Sequence, residues 1–138
     1  MWRALLLLLA LGGCITPLPP TPQDLQAKKF EVVPGQSVIY LFRQPAINRE
    51  AATLWLDDRV MGSTYSGTYF RWVVPPGRHR IAGYAGDSGS ITIDTAPGRI
   101  YFVEQVYSNG FMLTRQSYFR LVDENFGRTA VLQSELAG

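Results

Sequence analysis

Cysteine is almost missing from this 138-residue chain, and the one present, Cys14, stands near the N-terminus. A single cysteine excludes an intramolecular disulfide framework and a cysteine-ligated metal cluster. Histidine is equally scarce. With only His79, a histidine-rich metal site is impossible. Charge is sparse as well, at 17% Asp, Glu, Lys and Arg, and the net formal charge is only +2. The arginines are interspersed with carboxylates, so the basic stripe that nucleic-acid binding requires is missing. No apolar run reaches the roughly 20 residues needed to cross a bilayer core as a helix. The longest, Ala4 to Leu11, ends at two small residues and then at Cys14.

What is present at the N-terminus forms a pattern. Met1-Trp2-Arg3 supplies a short positive head, Ala4 to Leu11 a leucine-dominated core, and Gly12-Gly13 a small-residue exit. These are the three parts of a secretory signal peptide. Leu11-Gly12-Gly13-Cys14 also resembles the lipobox of bacterial lipoproteins. That resemblance implies cleavage after Gly13 and lipidation, including palmitate, on Cys14. The competing readings are an ordinary signal peptide with a stray cysteine, or a short buried helix. Ile15 in place of an aspartate after the cysteine implies, by the same resemblance, delivery to the outer membrane of a Gram-negative cell, on its periplasmic side.

Residues 15–29 hold four prolines, Pro17, Pro19, Pro20 and Pro22, and end in Lys28-Lys29. Proline fixes φ and lacks an amide donor, so the stretch favours extended polyproline-like conformations. It reads as a tether, or alternatively as a site for a polyproline-binding partner. The organisation expected is a signal peptide over 1–13, a lipidated cysteine and proline-rich tether over 14–29, and one β-domain over 30–138. The processed chain of about 125 residues is near the commonest domain size.

The remainder is rich in Val, Ile, Thr, Tyr and Phe, with glycine and proline punctuation. Val38 to Phe42 is apolar at both parities, as in a strand covered on both faces. Ala52 to Leu56 alternates and returns through an Asp57-Asp58 turn. Thr68–Val74, Pro75-Pro76-Gly77 and Arg78–Tyr84 read as a hairpin. With Pro76-Gly77 as its turn, Trp72 faces Ile81, unless the turn is longer by a residue or two. Ser90–Asp94 is a further strand, and Ala96-Pro97-Gly98-Arg99 repeats the turn chemistry. Asn109-Gly110 is a strong two-residue hairpin signal that pairs Glu104 with Arg115 and Val106 with Leu113. Asp123 to Leu136 fits a short amphipathic helix with Asp123 as N-cap, weakened by Gly127. The fold class expected is a single antiparallel β-sandwich of seven or eight strands with a short C-terminal helix.

The apolar Val38–Arg43 strand, the Leu54-Trp55-Leu56-Asp57-Asp58 turn with Gly62 behind it, Val74-Pro75-Pro76-Gly77-Arg78-His79 and Ala96-Pro97-Gly98-Arg99-Ile100-Tyr101 run in order along the chain. In that order they resemble short bacterial lipoproteins grouped as domain of unknown function 2846. The resemblance implies a lipid-anchored envelope β-domain and carries no catalytic residues. The central part also looks like small β-sandwich modules repeated on bacterial surface proteins.

Candidate chemistry is thin. Gly86-Asp87-Ser88-Gly89-Ser90 looks like the nucleophile segment of trypsin-like proteases, but the only histidine precedes Ser88 by nine positions in a neighbouring strand. Hydrolysis would need Ser88, His79 and a carboxylate to converge. Asp57, Asp58, Asp87 and Asp94 supply oxygen ligands without regular metal-binding spacing. Asp57 and Asp58, adjacent in a turn, diverge and do not form a glycosidase pair. The hairpin pairing places Tyr69, Arg71, Arg80 and Tyr84 on one aromatic-basic face. Such a face can stack on sugars or grip an acidic partner. A solvated outer face, or one covered by the C-terminal helix, accounts for the same residues. No catalytic residue, metal or cofactor is expected. The expected partners are the membrane through Cys14 and another envelope protein or peptidoglycan, with no nucleic acid.

Overall fold

The computed structural model describes residues 19–47, 50–83, 89–109 and 115–137. These residues are mainly β. In chain order they form α1 (Pro22–Ala27), β1 (Ser37–Arg43), β2 (Ala52–Leu56), β3 (Arg59–Thr64), β4 (Thr68–Val74), β5 (Gly77–Ala82), β6 (Ser90–Thr95), β7 (Arg99–Asn109), β8 (Arg115–Val122), α2 (Glu124–Leu132) and β9 (Glu135–Leu136). The strands make two sheets. One is five-stranded, in the order β8-β7-β1-β4-β9, and the other four-stranded, in the order β3-β2-β5-β6.

β1 is central, and every one of its residues is buried, as its two-sided apolar pattern predicts. Ile39 and Leu41 join an apolar cluster with Phe70, Trp72, Val103 and Phe119 of their own sheet and Leu54, Leu56, Ile81 and Ile93 of the other. Val38, Tyr40 and Phe42 point to the opposite face, where Ala27, Phe30 and Val131 close a second cluster. The five-stranded sheet thus carries the four-stranded sheet's side chains on one face and both helices on the other.

The Asp57-Asp58 turn forms as expected. Leu56 pairs with Arg59, and the two aspartates hold φ of 50° and 65°, the positive values that a two-residue type I′ hairpin requires. Asp123 caps α2, accepting from the Phe126 amide at 2.8 Å.

Four expectations need correction. First, the five-stranded sheet is mixed rather than antiparallel, because β7 runs parallel to β1 and β9 parallel to β4. The described residues hold nine strands, the shortest of two residues, where seven or eight are expected. Second, β4 and β5 are not a hairpin. β4 pairs with β1 over seven residues, while β5 pairs with β2 and β6 in the other sheet. Pro75-Pro76 is a crossover between sheets, where the missing proline amides cost no ladder bond.

Third, β8 pairs with β7 five residues out of the expected register. Glu104 faces Arg120 instead of Arg115, and Val106 faces Tyr118 instead of Leu113. A shift by an odd number turns every side chain of a strand to its other face. The observed register places Phe119, opposite Gln105, in the cluster shared by both sheets, which the shorter turn would not. Fourth, the expected tether is partly a docked helix. Thr21 caps α1 through its hydroxyl, which accepts from the Asp24 amide at 3.1 Å, and Pro22 occupies the first turn. There the missing amide would be unpaired in any case. Asp24 and Ala27 are buried, so the folded domain begins by Pro22 rather than at Phe30.

Candidate functional site

Of the expected site residues, Cys14, Tyr84, Asp87 and Ser88 lie outside the described residues. Tyr69 and Arg71 sit on the helix-covered side of β4, opposite Phe42 and Tyr40. Arg80 lies on β5, in the other sheet, and pairs with Asp58 at 3.6 Å. The aromatic-basic face is therefore not assembled: the face depended on a β4–β5 hairpin, and the two strands belong to different sheets.

Tyr69 is fully buried and serves a polar junction. Its hydroxyl donates to Asp24 Oδ1 at 2.7 Å, and the Leu136 amide donates to the same oxygen at 3.2 Å. Lys28 Nζ donates to Asp24 Oδ2 at 2.9 Å and to the Ser134 carbonyl at 2.6 Å. One carboxylate thus joins α1, β4 and β9. Burial alone would raise the Asp24 pKa, but the Lys28 and Tyr69 bonds outweigh it and hold the carboxyl below its ordinary value. Burial and the adjoining Asp24 charge push the Tyr69 phenol far upward, so it stays protonated.

Arg71 is also engaged. Its Nε donates to the Tyr40 hydroxyl at 3.1 Å and one Nη to the Glu31 carbonyl at 3.2 Å, while Tyr40 donates to the Ala27 carbonyl at 2.6 Å. Tyr40 in turn stacks on Phe102 with 5.3 Å between ring centroids. A groove of about 420 Å³ opens beside this clamp, lined by Pro22, Gln23, Gln26, Ala27, Arg71 and Leu136. Its polar lining is mostly neutral amide, with one guanidinium already committed to the fold.

His79 is buried at the turn end of the two sheets. Nδ1 lies 2.6 Å from Asp57 Oδ2, and Nε2 lies 2.6 Å from the Pro75 carbonyl. Both partners only accept, so both ring nitrogens must donate and the imidazolium is the form that satisfies the site. Burial disfavours that charge, yet the bonds to Asp57 and Pro75 prevail and raise the His79 pKa. Asp57 moves the other way: burial raises it, but His79 and the Arg80 amide, 2.8 Å from Oδ1, bring it below the ordinary value. His79 has no lone pair left for a general base. It is a pin that ties the crossover at Pro75 to the β2–β3 turn.

The signs of these shifts define a pH window. The histidine's contribution is complete below its unfolded pKa of about 6.5 and is lost as pH rises through the higher folded value. The aspartate's is complete above about 3.9 and is lost as pH falls through the lower folded value. The pair stabilises most between about pH 4 and 6.5. Because His79 is the sole histidine, its ring protons give one titration by NMR. The native midpoint should lie above about 6.5, and Asp57→Asn should lower it. A native midpoint below 6 would contradict the double-donor geometry.

Between the sheets, at the end where β1 and β7 terminate, the interior turns polar. Arg43 is buried, donates to the Glu50 and Thr64 carbonyls at 2.6 and 3.3 Å, and stacks 4.4 Å from the Tyr107 ring centroid. Burial depresses its pKa. Thr64 donates to Gln105 at 2.5 Å, and Gln105 Nε2 donates to Ser117 at 3.4 Å. Pattern reasoning missed this buried network. The sign available was Arg43 itself, at the inward parity of Ile39 and Leu41. Among the described residues no three His, Cys, Asp or Glu side chains converge on a metal site. Asp94 pairs with Arg78 at 3.1 Å on the surface.

No protein-family model matches the chain, and no curated protein matches it.

Proposed function

We propose that the chain is a lipid-anchored bacterial cell-envelope lipoprotein whose domain, a β-sandwich, is a non-catalytic structural or interaction module on the periplasmic side of the outer membrane. The observation that carries the reading is Leu11-Gly12-Gly13-Cys14 behind a charged head and an eight-residue apolar core, with Cys14 the chain's only cysteine. The resemblance of its ordered motifs to the domain of unknown function 2846 lipoproteins supports it. So does the way the described titratable groups are used. His79, Asp24, Asp57 and Arg71 are each held by partners within the fold, which suits a scaffold more than a reaction centre.

Metabolic labelling with radioactive palmitate tests the anchor. Wild-type chain should take up label, and Cys14→Ala should take up none and accumulate with its leader attached. Equal labelling of both would overturn the proposal.

A further inference from the structure

Resting on the lipidation of Cys14, we infer that one end of the domain is a membrane-docking surface: Ile47, Tyr65 and Leu132, gathered around the point where the tether enters, lie against the bilayer that holds the lipid. The fold places these residues together. β1 ends and β4 begins at this end, and β9 starts beside β4, with the Glu135 amide donating to the Gly67 carbonyl at 3.0 Å. The segment carrying Ile47 is bound to the turn after Tyr65, since the Ala46 amide donates to the Ser66 hydroxyl at 2.6 Å. α2 delivers Leu132 to the same end. Leu132 shares with Pro19, Pro20 and Glu135 the lining of a hollow of about 410 Å³ where the chain enters the fold. Ile47 is 101% exposed, Leu132 56% and Tyr65 52%.

Chain length selects the occupant. Because α1 begins at Pro22, four residues lie between Cys14 and Pro19, and the five residue-to-residue steps reach at most about 18 Å fully extended. The seven-residue strands of the sheet are about 23 Å long, so the far end of the domain is beyond that reach. There, among the described residues, the large exposed apolar side chains are Val32, Val60 and Val73, while Leu25 stands on α1 and Tyr118 and Leu121 on the edge strand β8. At the near end an isoleucine, a leucine and a tyrosine stand within reach of the headgroups. An amphipathic tyrosine ring flanked by aliphatic residues suits the boundary between headgroups and acyl chains.

The test uses the processed, lipidated full chain in phosphatidylethanolamine–phosphatidylglycerol vesicles, with and without brominated acyl chains. Tyr65→Trp reports on the near end and Val60→Trp on the far end, with wild type supplying the background of Trp55 and Trp72. Brominated lipid should quench the residue-65 probe about threefold more than the residue-60 probe, because a docked ring sits at the acyl boundary. Adding Ile47→Glu and Leu132→Glu should abolish that difference while the chain still partitions into detergent. A chain that fails to partition into detergent would overturn the anchor and the docking with it. Normal partitioning with equal quenching of both probes would overturn the docking alone. A residue-65 probe shielded from acrylamide but unquenched by brominated lipid would show a protein cover, a second copy or a partner, and would also overturn it.

Discussion

Alanine at position 127 should destabilise the domain by about 2 kcal/mol, although alanine is a better helix former than the glycine it replaces. A Cβ on Gly127 would fall 2.2 Å from Phe102 Cγ and 2.4 Å from Phe102 Cβ. These atoms lie close to the β7 backbone and cannot swing aside. The Phe102 ring is held by Tyr40 at 5.3 Å and Phe30 at 6.0 Å between centroids. The methyl group must therefore lift α2 off the sheet, loosening fully buried Val131 and the Phe42–Phe126 ring contact at 6.2 Å. Overpacking of this kind costs about 1–3 kcal/mol, and the backbone-near overlap puts it at the upper limit. Helix propensity returns about 1 kcal/mol. Urea midpoints measured beside wild type check the balance. Adding Phe102→Ala, which removes the Cγ and Cδ1 that the new methyl meets, should couple favourably with the alanine. Stabilisation by about 1 kcal/mol, the propensity effect alone, would mean that α2 does not lie on Phe102.

Asp24→Ala should cost about 3 kcal/mol, the larger of the two effects. It removes the 2.7 Å acceptor of the fully buried Tyr69 hydroxyl, leaving that group only the residue-24 carbonyl at 3.4 Å, strands the Leu136 amide, and leaves Lys28 with Ser134 as its remaining hydrogen-bond partner. The low end of the range for a broken buried pair applies because the Lys28 side chain is 19% exposed. Tyr69→Phe removes one bond without stranding a charge and should cost about 1 kcal/mol. The Asp24 contribution is complete above about pH 3.9 and is lost as pH falls through the depressed folded value. Asp24→Ala should therefore show a shallower acid limb in its stability profile. Hydrogen exchange gives a local readout, in which the Leu136 amide loses protection while β1 amides keep theirs. Retained protection at Leu136 would place the carboxylate elsewhere.

Much of the fold was legible in the sequence, and the candidate site was less so. Burial followed from the apolar pattern: Val38 to Phe42, apolar at both parities, and the alternating Leu54, Leu56, Ile81 and Ile93 are all inside. The Asp57-Asp58 turn was legible because few residues other than glycine tolerate two consecutive positive φ values. Partners were not legible. A two-residue repeat tells which side chains face inward, yet it is the same for a hairpin and for two strands in facing sheets. Trp72 and Ile81 are both inside, but across the sheet interface rather than side by side on one ladder. The aromatic-basic site failed with that pairing.

The β7–β8 register was misread for a related reason. Asn109-Gly110 offers a tight turn, but only the longer excursion turns Phe119 inward, and a local motif does not weigh that burial. For α1, proline content pointed to an extended tether, while Thr21 before Pro22 was an available helix-start signal. The glycine that weakened α2 as a helix is the residue that lets it touch the sheet.

The parallel pairing of β1 with β7 has a kinetic consequence. The central strand meets one neighbour at β4, about thirty residues on, and the other only after about sixty, with the whole four-stranded sheet intervening. The Asp24 junction closes later still, since Leu136 comes from β9. Loop-closure entropy must be met before these distant contacts form, which places the domain among folders on the millisecond-to-second scale. A chain synthesised only as far as β6 holds the four-stranded sheet and the β1–β4 pair, but it lacks the second neighbour of β1 and the strand that closes the Asp24 junction, so those contacts form last.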